Sequence, residues 1–279
     1  MKLLVKDVIK SFATGDRVVD TLDNVNLKVE KGEFVTIVGP SGCGKSTLLS
    51  IIAGLEKPTD GKIYVDGREV AGPGPDRLVM FQESALFPWL NVLQNVEFGL
   101  KVSGVDKRSR REIARHYLKM VYLSRFESAY IHQLSGGMKQ RVALARALAL
   151  NPDILLMDEP FAALDSQTRS LLHAELETIW EETGKTIVFV THNVEEAVTL
   201  ADRVITFSAR PGRIKKEFHI QLPRPRNIET PDLGRAINRV MEELKTEVEK
   251  VVKEELDSDW AVEESALLYS NNCRMGSGL

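Results

Sequence analysis

The chain has 279 residues, of which 43% are hydrophobic and 28% are charged, and its formal net charge at pH 7 is −3. These values are typical of a globular protein with a sizeable core, and they exclude a polycation that would bind nucleic acid through its overall charge. No run approaches the roughly 18 apolar residues of a membrane-spanning helix, so we expect any membrane role to require a partner chain. Two cysteines without a pairing pattern, Cys43 and Cys273, favour a reducing compartment.

Short apolar runs that alternate with helical patterns predict an α/β domain with a largely parallel sheet. The runs are Phe34–Val38, Leu78–Phe81, Ile154–Met157, Thr186–Val190 and Val204–Phe207. Residues 3–9 and 22–29 instead alternate apolar and polar positions, as half-buried strands do. A helical pattern covers Lys45–Ala53 and is stopped by Gly54. The stretch from about 90 to 145 has few strand-like runs and is predicted to be a helical subdomain inserted into the α/β core.

The predicted insert carries a local basic cluster, Lys107–Arg111. We interpret this cluster as the solvated start of a helix, because runs of charge most often lie on a solvated face. Binding of nucleic acid is the alternative, and we expect no nucleic-acid partner.

A glycine-rich loop follows the first apolar run and matches the pattern G-x-x-x-x-G-K-[ST]. Its glycines allow backbone N–H groups to curl around phosphate oxygens, and the positive end of the helix that follows adds to the attraction. Lys45 would supply a mobile charge for the β- and γ-phosphates, and the Ser46 hydroxyl can bind Mg²⁺. A glycine-rich turn that matches by coincidence is the alternative. The predicted nucleotide-binding residues of this loop are Gly39, Pro40, Ser41, Gly42, Cys43, Gly44, Lys45, Ser46 and Thr47.

Cys43 lies inside this loop, close to the start of the predicted helix. Because a helix N-terminus lowers the pKa of a thiol, we expect a reactive cysteine that a maleimide modifies and that bound MgATP protects. The alternative is that Cys43 only fills a small space.

Two carboxylates, Asp158 and Glu159, end the apolar run Ile154–Met157. An Asp at such a strand end can hold Mg²⁺, and a Glu beside it can polarise the attacking water. A solvated turn is the alternative. The phosphate loop earlier in the chain favours the functional interpretation.

The segment Leu134–Arg141, with the sequence LSGGMKQR, lies between the phosphate loop and the acidic pair. It resembles the signature motif of the ABC ATPases. Ser135, Gly136 and Gly137 would present N–H groups at the start of a helix and form a second anion site; a flexible linker is the alternative. Other elements of the family occur in the expected order: Phe12 resembles the aromatic residue that stacks on adenine, Gln82 the Q-loop glutamine, Ala163–Asp165 the D-loop, and His192 the switch histidine.

This resemblance covers roughly residues 1–215 and implies a P-loop NTPase fold with a parallel-sheet core, an antiparallel β subdomain and an inserted helical subdomain. It implies that two subunits sandwich two ATP molecules, so that Ser135 and Gly137 of one subunit serve the ATP held by Lys45 of the twin subunit. Asp165 is a further implied ATP-binding residue. ATP and Mg²⁺ are the implied cofactors. The implied catalytic residues are Glu159, His192, Gln82 and Lys45, and the implied Mg²⁺ ligands are Ser46, Gln82 and Asp158.

Two further segments, Phe87–Leu90 and Ser208–Ile214, resemble the nitrate, sulfonate and taurine importer ATPases. This resemblance implies a subunit that energises import of a small anion and lies peripherally at the cytoplasmic face of the inner membrane. It also implies two partners, a separate transmembrane permease and a periplasmic or lipid-anchored solute-binding protein. The segment Phe87–Leu90 would face the permease, and the alternative for Trp89 is a local core aromatic.

Three other classes of function are weighed against this one. A non-transport ABC ATPase usually has two ATPase halves in one chain or zinc-binding cysteines, and this chain has neither. An exporter or lipoprotein-release ATPase shares the catalytic motifs, and only the permease-facing residues and Ser208–Ile214 disfavour it. A non-catalytic binding module would show a degenerate motif, and none is degenerate here.

The domain prediction places an ATPase domain at 1–220 and a tail at 221–279, which would comprise a stiff Pro/Arg linker, an amphipathic helix and a disordered end. Apolar residues at three- and four-residue steps predict a helix with one apolar stripe from Leu233 to Leu256. The nine acidic and five basic residues in 228–257 argue against an anionic membrane as its partner. We expect this helix to pack on its own domain or on the twin subunit, with or without a regulatory effect on dimer closure.

Overall fold

The computed structural model describes residues 1–15, 17–227 and 230–255. This part of the chain forms ten strands and seven α-helices. The strands are β1 (Leu3–Thr14), β2 (Arg17–Val29), β3 (Phe34–Val38), β4 (Asp60–Val65), β5 (Arg68–Glu69), β6 (Arg77–Met80), β7 (Ile154–Asp158), β8 (Thr186–Thr191), β9 (Arg203–Phe207) and β10 (Ile214–His219). The helices are α1 (Lys45–Ala53), α2 (Val92–Val102), α3 (Lys107–Met120), α4 (Gly136–Ala149), α5 (Ser166–Thr183), α6 (Val194–Leu200) and α7 (Pro231–Glu255).

A six-stranded sheet with the order β10-β9-β3-β8-β7-β6 forms the centre of the domain. Five of its strands are parallel, and β10 joins the edge in the antiparallel sense. Every residue of β3 and β8 is buried, which explains why these strands appear in the sequence as continuous apolar runs rather than as alternating patterns. The predicted parallel-sheet core is confirmed, and the carboxyl ends of β3, β7 and β8 meet at one edge.

A second sheet of four strands, with the order β2-β1-β4-β5, is antiparallel. Towards its end, β2 alternates buried and exposed positions, as the sequence pattern predicts for a half-buried strand. Its buried side chains pack in one cluster with α1 and with one face of the parallel sheet. The second sheet therefore borders the start of α1, where the phosphate loop lies.

The helices α2, α3 and α4 separate β6 from β7 in sequence, although these two strands are neighbours in the sheet. This is the predicted helical insertion. Asn91 begins α2 with a capping box and Asp106 caps α3. In the basic cluster, Arg110 and Arg111 lie 3.4 and 3.5 Å from Glu97, so the cluster is partly neutralised within the insert.

The helix α7 contributes to the core of its own domain. Four side chains of its predicted stripe are buried in the cluster that contains α6 and the end of β10: Leu233, Ile237, Val240 and Leu244. Two others, Met241 and Val248, are 39% and 42% exposed. The side chains of the stripe beyond residue 250 are not among those that the structure describes.

The Pro/Arg segment before α7 is tied to the domain by two guanidinium groups. Arg224 forms ion pairs with Glu177 at 3.1 Å and Asp202 at 2.8 Å, and it lies 4.3 Å from the ring of Trp180. Its neighbour Arg226 donates hydrogen bonds to backbone carbonyls at the end of α6 and beyond it, those of Val198, Thr199, Ala201, Ile220 and Leu222.

Arg226 therefore satisfies the carbonyl groups that the last turn of α6 leaves without intrahelical partners. Burial, reinforced by the nearby charge of Arg224, lowers the pKa of the Arg226 guanidinium to about 10. The group remains charged at neutral pH, and it ties the Pro/Arg segment to the end of α6.

A pair of substitutions in α7 tests its packing. Leu233 is fully buried, and we expect Leu233→Ala to lower the free energy of unfolding by about 2–4 kcal/mol because it leaves a cavity. Met241→Ala, on the same helix but at an exposed position, is the control and should change this free energy by less than about 1 kcal/mol. Urea denaturation of the two full-length variants measures both values. Equal stabilities would contradict the packing of α7 on the domain.

Candidate active site

The phosphate loop is closed around a buried ammonium group. Nζ of Lys45 donates hydrogen bonds of 2.9 Å to the carbonyl oxygens of Gly39 and Pro40. Gly44 has a φ of +99°, and a Cβ atom there would lie 2.8 Å from both a Leu22 methyl group and a backbone oxygen, so only glycine fits. Lys45 forms no ion pair with a carboxylate in the described part of the chain. Its third N–H contacts only the Cys43 sulfur, at 3.9 Å, so that N–H and the charge suit a phosphate group.

The phosphate loop and the acidic strand end meet at the edge of the sheet. The Ser46 hydroxyl donates a hydrogen bond of 2.9 Å to Oδ1 of Asp158. Burial raises the pKa of the Asp158 carboxyl, and the neighbouring charge of Glu159 adds to this effect. The structure thus brings together two of the three predicted Mg²⁺ ligands, which are hard oxygen donors of the kind Mg²⁺ prefers.

Gln82, the third predicted ligand, lies two residues beyond β6, which pairs with β7. Its carbonyl oxygen accepts a hydrogen bond of 3.0 Å from Nε2 of Gln140 on α4. Its side chain is exposed and has no hydrogen bond within the described residues. The backbone at Gln82 is therefore anchored while the amide is left for a ligand.

Glu159 and His192 form a direct contact across two adjacent strand ends. Nδ1 of His192 lies 2.9 Å from Oε2 of Glu159. The Glu159 backbone is held by a hydrogen bond of 2.9 Å from its N–H to the carbonyl of Val190, and its φ is +44°. A positive φ is unfavourable for a residue with a Cβ atom, so the surrounding structure holds the backbone of Glu159 in a strained conformation.

A buried carboxylate that the sequence reasoning did not single out supports the His192 segment. Glu196 accepts a hydrogen bond from the Thr191 hydroxyl, and its Oε1 lies 2.7 Å from Nε2 of His173. Asn193 caps α6 by accepting from the N–H of Glu196 at 3.1 Å. An Asn with a Glu three residues later, directly after a predicted strand, is a helix-start signal that could have indicated this arrangement.

The signature motif begins α4. The Ser135 hydroxyl accepts a hydrogen bond of 3.3 Å from the N–H of Met138, and Gly136 and Gly137 form the first turn. A Cβ atom at Gly137 would lie 2.5 Å from a methyl group of Thr168 on α5. No hydrogen bond joins this motif to the phosphate loop of the same chain in the part that the structure describes.

Asp165, in the segment that resembles the D-loop, caps the neighbouring helix α5. Its carboxylate accepts hydrogen bonds from the N–H and the hydroxyl of Thr168 at 2.9 and 2.7 Å, and these bonds hold its pKa below the usual range. Because Thr168 also contacts Gly137, the D-loop and the signature motif lie side by side.

Phe12 lies in the antiparallel sheet, on β1, and is 38% exposed. The ammonium group of Lys10 lies 4.6 Å from the centre of its ring. Lys10 pairs with Leu22 across the sheet, and Leu22 is the residue that limits space at Gly44. The ring is thus on the strand pair that borders the phosphate loop.

The expectation of a reactive Cys43 is wrong. Its side chain is 1% exposed, and burial raises the pKa of the thiol despite the opposing charge of Lys45. The sulfur lies 3.1 Å from where a Cβ atom at Gly39 would be, and the carbonyl of Cys43 faces Gly212. Loss of hydration therefore outweighs the helix N-terminus, and the side chain fills a small space, so Cys43 can serve a ligand only through its backbone.

A parallel sheet whose strand ends present a phosphate loop, an Asp-Glu pair and a histidine defines a P-loop nucleoside-triphosphate hydrolase. The sequence model of the family described as "ABC transporter" matches residues 22–162. An ABC transporter ATP-binding protein of Methanocaldococcus jannaschii is 54% identical over 253 residues, which are 91% of this chain and 95% of that protein. The chain belongs to the ATP-binding subunits of the ABC transporter family, which are ATPases.

Other relatives have more specific names. The nitrate import ATP-binding protein of Synechocystis is 52% identical over 223 residues, covering 80% of this chain and 84% of that protein. The taurine import ATP-binding protein of Burkholderia pseudomallei is 49% identical over 223 residues, covering 80% and 86%. A solved dimeric ATP-binding cassette bound to ADP and phosphate is 39% identical, with a TM-score of 0.71, and it covers 79% of this chain and 100% of that chain. The predicted fold class and the resemblance to nitrate and taurine importer ATPases are confirmed.

The burial of Cys43 leads to a measurable expectation. In a Cys273→Ser chain, we expect a maleimide to modify native Cys43 at least about tenfold more slowly than the same chain unfolded in urea, because the thiol is exposed only when the domain opens locally. The initial rate of maleimide incorporation, measured by mass spectrometry at neutral pH, checks this. Equal rates for the native and the unfolded chain would show that Cys43 is accessible.

Proposed function

We propose that the chain binds MgATP at Gly39–Thr47, hydrolyses it in a dimer and thereby energises a membrane importer for a small anion such as nitrate, sulfonate or taurine. The observation that carries the hydrolysis step is the pair of contacts Ser46–Asp158 and Glu159–His192 at adjacent strand ends, beside the buried Lys45 ammonium. Positioning and electrostatics supply most of the catalysis in phosphoryl transfer, and these groups supply both.

Each residue has a separate task in this proposal. The loop N–H groups and Lys45 bind and orient the phosphates. Glu159 polarises the attacking water, and His192 holds that carboxylate in place. Ser46 and Asp158, with the Gln82 amide, would hold Mg²⁺, which supplies charge neutralisation at the phosphate oxygens when bound.

The residues of the site match the ligand requirements of Mg²⁺ better than those of a metal ion whose ligands all come from the protein. Within the described residues, no cluster of three or more His, Cys, Asp or Glu side chains could hold a metal ion. Mg²⁺ commonly binds through one or two protein oxygens and completes its coordination with phosphate and water oxygens. The Ser46–Asp158 pair matches that requirement.

The signature motif is proposed to act on the ATP of the twin subunit. Ser135, Gly136 and Gly137 present N–H groups at the start of α4, where the helix dipole favours an anion. No hydrogen bond connects them to the phosphate loop of their own chain within the described residues. The dimeric form of the solved relative supports an arrangement in which the two half-sites meet across a dimer, with Asp165 beside them.

An exposed aromatic group supports docking of a permease. Trp89 is 70% exposed, so the alternative that it is a core aromatic is excluded. Its ring lies 5.6 Å from that of Phe87, which in turn lies 4.3 Å from that of Phe98, also partly exposed. We propose that this cluster contacts a separate transmembrane permease, since large exposed aromatic groups commonly mark interaction sites.

No helix in the described part of the chain is long and apolar enough to cross a membrane. We also propose that the subunit lies peripherally at the cytoplasmic face of the inner membrane, in a complex with the permease and a periplasmic or lipid-anchored solute-binding protein. The solute is proposed from the nitrate and taurine import relatives.

The role of Glu159 can be tested by removing its charge. We expect Glu159→Gln to lower the hydrolysis rate by at least about 10²-fold, because the amide keeps the shape but cannot polarise water, while ATP binding is retained. Glu195→Gln, an exposed position on α6, is the control and should hydrolyse ATP like the unaltered chain. Phosphate release and equilibrium binding of a fluorescent ATP analogue measure the two effects. Near-normal turnover by Glu159→Gln would refute its assignment.

The arrangement of half-sites in trans predicts complementation. Lys45→Ala and Ser135→Arg chains should each be inactive as homodimers. A mixed dimer should contain one site with both lesions and one intact site, so hydrolysis should partly return on mixing. Phosphate release after mixing, with differently tagged chains to confirm that mixed dimers form, measures this recovery. Activity in the Ser135→Arg homodimer equal to that of the unaltered chain would contradict a function of the signature motif.

A further inference from the structure

A buried carboxylate on α7 reaches back to the loop between β9 and β10, residues 208–213. Glu247 is buried, and its Oε2 accepts a hydrogen bond of 2.7 Å from the N–H of Ala209. Its Oε1 lies 3.0 Å from Nζ of Lys215 and 2.7 Å from Nζ of Lys250. A carboxylate in such a position is stabilised only when hydrogen bonds and opposite charges replace the lost water.

The charge state of Glu247 follows from these contacts. Burial alone would raise the pKa of its carboxyl, but hydrogen bonds from Lys250, the Ala209 N–H and Lys215 lower it to about 2. The group is therefore an anion throughout the physiological range. The two lysines are partly exposed and can turn to water, whereas the N–H of Ala209 is buried and would lose its partner if Glu247 were removed.

The 208–213 loop is closed on itself. The N–H of Ser208 donates to the carbonyl of Arg213 at 2.9 Å, and the Ser208 hydroxyl donates to the carbonyl of Pro211 at 2.9 Å. The N–H of Arg213 donates to the same hydroxyl at 2.9 Å. These three bonds make the loop a compact unit, so a shift at Ala209 is transmitted to the other end of the loop.

The far end of this loop, at Gly212, is in direct contact with the phosphate loop. A Cβ atom at Gly212 would lie 2.1 Å from the carbonyl oxygen of Cys43, so the two backbones are in close contact. Gly212 also donates to the carbonyl of Thr21 at 2.8 Å and accepts from the N–H of Asp23 at 3.0 Å. Within the phosphate loop, Gly39 packs against Phe207, the last residue of β9.

We propose that Glu247 is a positioning residue for nucleotide binding: by holding the N–H of Ala209 it keeps the 208–213 loop seated beneath the phosphate loop. The proposal rests on the nucleotide site assigned above to Gly39–Thr47. It gives α7 a role that goes beyond core burial, because the affinity for nucleotide then depends on a contact made by the C-terminal helix.

The chain offers a matched control one turn earlier on α7. Glu243 lies 3.3 Å from Lys215 and 3.3 Å from Lys216, but it forms no hydrogen bond with the 208–213 loop among the described residues. Glu243→Ala therefore removes a carboxylate and its lysine contacts from the same helix without releasing Ala209.

Three substitutions at Glu247 separate the hydrogen bond from the charge. Glu247→Ala removes both. Glu247→Gln loses the charge but keeps a carbonyl oxygen that reaches Ala209. Glu247→Asp keeps the charge, but its shorter side chain withdraws from Ala209. These three variants and the control Glu243→Ala are made in the full-length Cys273→Ser chain. They are compared at a temperature at which circular dichroism shows each one folded.

Two readouts report on the phosphate loop without requiring hydrolysis. The first is the rate at which a maleimide modifies Cys43 in nucleotide-free protein, since Cys43 is buried and its backbone carbonyl contacts Gly212. The second is the dissociation constant of a fluorescent ATP analogue with Mg²⁺. We expect Glu247→Ala and Glu247→Asp to raise both values by about three- to tenfold, whereas Glu247→Gln and Glu243→Ala stay within about twofold of the parent.

Two results would overturn the proposal. One is that Glu247→Gln changes both readouts at least as much as Glu247→Asp, because keeping the bond to Ala209 would then not preserve the phosphate loop. The other is that Glu247→Ala matches Glu243→Ala in both. If Glu247→Ala does not fold, the comparison of the Gln and Asp variants decides.

A Lys45→Ala chain separates this proposal from the proposed function. If the parent binds the analogue no better than Lys45→Ala does, the nucleotide site itself is assigned wrongly. In that case the Cys43 modification rates still decide whether Glu247 seats the 208–213 loop.

Discussion

The parallel pairing of β3, β8 and β7 is the constraint on which the site depends. In this register Val38 lies beside Thr191, and Asp158 beside Val190, so three strands end at one edge of the sheet. The residues that follow these strands are the phosphate loop, Glu159 and His192. Because backbone hydrogen bonds between buried strands fix the register, the chemistry-bearing side chains are placed by the sheet rather than by contacts among themselves.

The site itself contains groups that are unfavourable in isolation. Lys45 is a buried cation, Asp158 a partly desolvated carboxylate, and Glu159 a residue with a positive φ. Such features persist where the surrounding structure determines them, and here the carbonyls of the loop, the Ser46 hydroxyl and the backbone of β8 do so. The same features make the site ready for an anion, since the cation and the N–H groups are already oriented before a ligand arrives.

The C-terminal region contacts the catalytic core both through apolar side chains and through two charged side chains. Its apolar side chains fill part of the core beside α6, and Arg226 closes the end of that helix, which begins directly after the His192 segment. Glu247 holds the loop that supports the phosphate loop. Both charged contacts are made to backbone groups, which gives them a geometric role as well as an energetic one.

Features encoded in short contiguous stretches could be predicted from the sequence. The apolar runs indicated the parallel strands, the spacing of glycines and Lys45 indicated the phosphate loop, and the steps from Leu233 onwards indicated the last helix. In each case the pattern that specifies the feature lies within a few residues or follows a general rule of sheet topology.

Only the tertiary structure decided the environments of individual side chains. The pKa of the Cys43 thiol is raised by burial in the packed domain, and a residue from a distant part of the chain, Gly212, contacts the Cys43 carbonyl. The exposure of Trp89 likewise depends on the packed structure. The contacts of Arg226 with the end of α6 and of Glu247 with Ala209 join residues that are far apart in the sequence, so no local spacing rule predicts them. Burial and charge pairing are properties of the packed molecule, so a linear pattern shows which residues are capable of chemistry but not which of them water can reach.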